Sequence, residues 1–121
     1  MSENSQLSKS SIIAPEVITM ENLLQNLQRT IRALESLSER PLTETEQVEA
    51  LLDQLFQQKI DLVNRQFNAG SPLFQQAAHA VSLAATQTEK AVRTPAALSD
   101  ALTQVEDAVG KLGNLLNGSL P

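Results

Sequence analysis

The sequence predicts an all-α fold, an up-down-up-down four-helix bundle with a disordered N-terminal tail. Apolar side chains recur at three- and four-residue intervals over four separate stretches, the period of one face of a helix. Proline, glycine and Ser/Thr clusters punctuate the chain between those stretches. Aromatic residues make up only 2% of the chain, so Leu, Val, Ile and Ala must build the core, which favours helix on helix over a sheet.

Residues 1–14 are rich in Ser, Asn and Gln and read as a flexible tail, whose Ile12 and Ile13 either pack on the first helix or form a short docking peptide. Residues 15–118 read as one helical-bundle domain. From Pro15, suited to a first helical turn, Val17, Met20, Leu24, Leu27, Ile31 and Leu34 recur at helical spacing. This first helix should stop near Arg40, because Pro41 disfavours helical geometry at the residue before it.

Thr43 and Glu46 have the spacing of a capping box and predict the start of the second helix. Its apolar residues Val48, Leu51, Leu52, Leu55, Phe56, Ile60, Leu62, Val63 and Phe67 cover about half the helical circumference. That arc is wider than a peripheral helix needs, so the second helix is either the most buried element or one that also faces a partner.

Asn68-Ala69-Gly70-Ser71-Pro72 predicts a left-handed stop at Gly70, a cap at Ser71 and a third helix from Pro72. Leu73, Phe74 and Val81 share its inner face with Ala77, Ala78, Ala84, Ala85 and Ala91, small residues that let a neighbouring backbone come close. Leu83 projects away from that face. Thr94-Pro95 repeats the cap-then-proline signal and opens a fourth helix, with Leu98, Leu102, Val105, Val109, Leu112 and Leu116 in one stripe ending at Asn117-Gly118. Short connections predict successive helices as antiparallel neighbours. A bent, nearly continuous rod through Arg93-Thr94 that completes its core by dimerising is the competing arrangement.

Composition narrows the function. Hydrophobic residues at 41% and charged residues at 19% argue against wholesale disorder and against a membrane protein, and no stretch approaches the roughly 20 apolar residues of a membrane span. A cytoplasmic location is the expectation. The chain has no cysteine, which removes thiolate ligands, disulfides and thiol nucleophiles. Net charge is −5, and the excess concentrates between Pro41 and Gly70, where Glu44, Glu46, Glu49, Asp53 and Asp61 face only Lys59 and Arg65. The basic residues are scattered, so nucleic acid is not an expected partner.

One histidine and no Cys, Tyr or Trp leave few acid, base or nucleophile constellations, and no catalytic residue, metal site or cofactor site is assigned. The acidic residues of the second helix read as a solvated first turn complementing the helix dipole. No Glu or Asp stands three residues before His79, which removes the Glu-x-x-His pattern of di-metal bundles.

His79 lies opposite Ala77, Val81 and Ala84 on the helical wheel and should face solvent. The segment Ala78-His79-Ala80-Val81-Ser82-Leu83 on a four-helix bundle partly resembles the phospho-acceptor segment of histidine phosphotransfer domains. The resemblance covers half a helix at most and implies a phosphoryl carrier using His79. Ser82 and Leu83 stand where that family has Lys and Gly, the residues that steady the phosphoryl group and clear space for the partner.

The function expected from the sequence is non-catalytic: a helical-bundle interaction module, an adaptor or a self-associating homodimer. Phe56, Ile60, Val63, Phe67 and Leu83 are its candidate partner-binding residues. A phosphorelay carrier, and a secretion chaperone or amphipathic coat protein, are the alternatives.

Overall fold

Local capping chemistry sets the element boundaries. The computed structural model describes residues 17–118. Four helices and one short turn follow in order: α1 (Met20–Ser38), α2 (Thr45–Val63), α3 (Pro72–Arg93), a 3-10 turn (Pro95–Ala97) and α4 (Leu98–Gly118), with no strand among the described residues. Residues 1–14, read above as a flexible tail, lie outside that range.

The first helix starts later than Pro15 suggests. Thr19 is extended and its Oγ1 accepts the Asn22 N–H at 3.1 Å, a cap that holds Val17 and Ile18 out of the helix. The Thr43/Glu46 capping box does not form either. Residue Glu44 occupies the cap position with φ −90° and ψ 13°, no side chain caps the first turn, and Thr45 Oγ1 donates back to the Leu42 carbonyl. A side-chain cap needs extended backbone, which Glu44 lacks.

Helix α2 ends at Val63, short of Phe67, and Gly70 is not left-handed. The Gly70 N–H bonds instead to Asn68 Oδ1 at 3.0 Å in a local side-chain turn. Ser71 and Pro72 open α3 as their chemistry dictates, with Ser71 Oγ accepting from the Phe74 N–H. At the far end Thr94 closes α3 through its N–H to the Lys90 carbonyl and is extended. The chain therefore reverses, and α4 folds back on α3 until Gly118 lies against Leu73. A continuous rod through Arg93 does not occur.

Long-range hydrogen bonds give the topology. Ile18 with Gln75, Arg29 with Glu89 and Arg40 with Val92 rise together along α1 and α3, so these helices are parallel neighbours. Gln47 with Glu106, Gln58 with Val109 and Arg65 with Leu116 make α2 and α4 parallel neighbours as well. Directions alternate up-down-up-down, but α2 and α3 sit on a diagonal with at most a marginal contact, so they are not neighbours. The early end of α2 explains this: residues 64–71 form a link that spans up to about 26 Å, well beyond the ~14 Å diagonal implied by helices 8–10 Å apart.

One core joins all four helices, including Leu27 and Leu34 of α1, Leu55 of α2, Phe74 of α3 and Leu112 of α4. Helix α3 packs along its length on both α1 and α4 because Ala77, Ala78, Ala84 and Ala85, all fully buried, allow close backbone approach. Buried Thr30 and Thr88 turn their hydroxyls back to the Asn26 and Ala84 carbonyls, so neither is left unsatisfied. The seam between α1 and α3 is closed at its rim by Arg29, which forks onto both Glu89 oxygens.

Phe74→Ala should lower stability by about 3–5 kcal/mol, since a large side chain with no exposed surface is removed. Gly110 is exposed within α4, and a Cβ there would meet nothing within 4 Å. Gly110→Ala should raise stability by roughly 0.5–1 kcal/mol, and urea titration of both variants measures the two effects.

The Arg29 hydrogen bonds hold the Glu89 carboxyl below the ordinary glutamate range, against a smaller opposing effect of burial and with coulombic help from Arg29 and Arg93. A depressed folded value means stability that is present above the unfolded glutamate pKa, about 4.3, and is lost as pH falls through the folded value. Both side chains are more than a third exposed, which limits the pair to roughly 0.2–1 kcal/mol. Glu89→Gln should therefore be less stable than the parent at pH 7 by that amount, with the gap closing as the solution is acidified below pH 4; urea titrations across pH measure it.

Candidate functional site

The half-circumference apolar arc of α2 divides in two. Val48, Leu51, Leu52, Leu55 and Leu62 turn inward and are buried. Phe56, Ile60 and Val63 remain 41%, 52% and 55% exposed, which places them in solvent rather than in the core. Their i, i+4, i+7 spacing puts them within about 60° of the helical circumference, directly beside Leu52. The core face thus continues round the helix as an uncovered stripe. The second helix is therefore not the most buried element: only five of the 19 residues of α2 are buried, compared with nine of 22 in α3.

Two neighbours orient the stripe. Lys59 donates to Gln28 Oε1 of α1, while Gln58 donates to the Val109 carbonyl of α4, so α1 and α4 flank α2 on its two sides. On the wheel the stripe lies on the α1 side, with Glu49 and Asp53 continuing it towards the helix start and with Gln57 and Asn64 along its outer margin. The result is an apolar strip with an acidic end and one neutral amide edge.

Phe67 and Leu83 do not join it. Phe67 stands in the 64–71 link, half-buried against the core, with the Arg65 guanidinium 5.9 Å from its ring centroid. With Pro72, Leu73 and Leu115 it lines a crevice of about 350 Å³ at that end of the bundle. No periodic signal could have found this crevice, because it is made by the link folding over α3 and α4. Leu83 is 54% exposed on α3, diagonally across from α2. There it lines a shallow groove with His79, Gln76, Asp107 and Lys111.

His79 is exposed on α3, and Lys111, which shares its groove, is engaged with Asp107 of its own helix at 3.0 Å. Among the described residues no group of three or more His, Asp or Glu side chains is placed to hold a metal ion. No described helix is long and apolar enough to cross a membrane. The basic residues are less scattered than the sequence suggests: Arg29, Arg32 and Arg93 border one depression between α1 and α3, with Glu89 among them. No protein-family model, curated protein or solved structure matches the chain.

Exposure separates stripe from core in a way stability can read. Ile60→Gln should change the unfolding free energy by less than about 0.5 kcal/mol, as surface substitutions do. Leu55→Ala, on the inner face of the same helix, should cost about 2–5 kcal/mol in the same urea titration.

Proposed function

We propose that the chain is a non-catalytic helical interaction module, binding another protein or a second copy of itself through the outward face of α2. The observation that carries this reading is the uncovered stripe of Phe56, Ile60 and Val63 on the least buried of the four helices. A single exposed leucine is ordinary on a protein surface, whereas three large apolar side chains in register on one helix face form a contiguous strip. Its flanking Gln57 and Asn64 suit a wet interface rim, where uncharged hydrogen-bonding groups exchange water for partner groups at little cost. Phe67 and Leu83 lie apart from that face and are not assigned to it.

A photo-crosslinking side chain at Gln57, beside the stripe, should capture a partner in the native cell extract, and the same probe at Thr86 on the opposite helix should not. Ile60→Glu should abolish the Gln57 adduct while leaving the circular dichroism melt unchanged, because Ile60 contributes little to the core. Absence of any adduct from Gln57, or an adduct indifferent to Ile60→Glu, would sink the proposal.

A further inference from the structure

We infer that α2 is a detachable element, swinging off the other three helices on residues 39–44 and 64–71 while α1, α3 and α4 stay packed. This conformational device is independent of whether the stripe binds a partner. Four features of the fold converge on it.

Helix α2 buries the fewest residues and makes the two sparsest of the bundle's extended helix–helix contacts, with α1 and with α4. Its shared apolar core with α4 is edged by polar contacts. Gln47 meets Glu106, Gln58 Nε2 reaches the Val109 carbonyl at 3.0 Å and Arg65 reaches the Leu116 carbonyl. Gln58 Oε1 is buried at this seam with no hydrogen-bond partner among the described residues. Reversing the amide would set two oxygens against each other at Val109, so rotation offers no relief. On the α4 side stands Gly113, where a Cβ would have Gln58 Nε2 as its nearest neighbour at 3.9 Å, so that position contributes no side chain to pack against the amide.

The entrance of α2 has no side-chain cap, unlike α1 at Thr19 and α3 at Ser71. A helix so started frays more readily, and an unsatisfied buried oxygen recovers its hydrogen bonds when the seam opens to water. Helix α4 too enters without a side-chain cap, from the turn that Thr94 opens, but its contact with α3 is the most extensive in the bundle. Parallel α1 and α3 are tied by Ile18 with Gln75, Arg29 with Glu89 and Arg40 with Val92, over a seam of buried alanines and threonines. Antiparallel α3 and α4 are held by a tight turn and pack along their whole length. Cooperative units of unequal stability within one domain follow from such differences in packing.

Native-state hydrogen exchange of the full chain, followed by mass spectrometry at low urea, tests this. Peptides within residues 48–62 should exchange at least about tenfold faster than peptides within residues 77–91 and 101–115, and the gap should close as urea rises. Gln58→Met removes the orphaned amide and keeps the length of the side chain; the Val109 carbonyl retains its place in the α4 ladder. This variant should slow exchange in α2 several-fold and leave α3 unchanged. One shared rate for α2, α3 and α4 at every urea concentration would overturn the proposal. Exchange in α2 that Gln58→Met leaves the same or speeds up would overturn the assignment of the weak point to the Gln58 seam.

Discussion

Close approach of α3 to its two neighbours is the constraint on which the rest of the architecture depends. Ala77, Ala78, Ala84, Ala85 and Ala91 carry no side chain beyond Cβ, so backbones meet where larger residues would hold them apart. Phe74 and Val81 then fill the wider parts of the same face. With the alanine-rich face of α3 committed to α1 and α4, the place left for α2 is across the diagonal, against those two helices. A peripheral helix has only one side to bury. Its apolar arc was nonetheless built for more, and the surplus stands in solvent as Phe56, Ile60 and Val63.

The link between α2 and α3 makes this arrangement possible. Had the helix run on to Phe67, only a tight turn would have remained before Ser71, and α2 and α3 would have been forced side by side. Ending at Val63 releases residues 64–71 to cross the end of the bundle. Phe67 becomes a half-buried plug in that crossing, under the Arg65 guanidinium, instead of the last member of a helical stripe. The same crossing sends Leu83 to the opposite side of the molecule, where its neighbours are His79 and α4.

Two kinds of adhesion coexist in the bundle. Apolar contact between small residues joins α1, α3 and α4, and its strength comes from many weak dispersion contacts at high packing density. Helix α2 buries fewer residues and adds long side chains reaching across to a carbonyl and an amide, Gln58 to Val109 and Lys59 to Gln28. Such bonds exchange readily with water, so each adds little net stability while specifying register. The surplus apolar surface and the weaker seam therefore fall on the same helix for a common reason, its place at the edge of an alanine-centred core.

Periodicity and punctuation in the chain were enough to establish four helices, their alternating directions and the Ser71-Pro72 start, because those follow from interactions within a few residues. The breadth of the α2 arc was legible too, together with Leu83 and His79 facing outward, since a wheel needs only the spacing of side chains. Cap positions at Thr19 and Glu44 were not, because a Ser/Thr signal becomes a cap only when its own backbone is extended. Which half of the α2 arc is covered, that Phe67 and Leu83 lie apart from it, and that α2 and α3 avoid each other were decided by tertiary structure alone. Those outcomes depend on which helix wins the close contact with α3, a competition between residues far apart in the chain that no local pattern records.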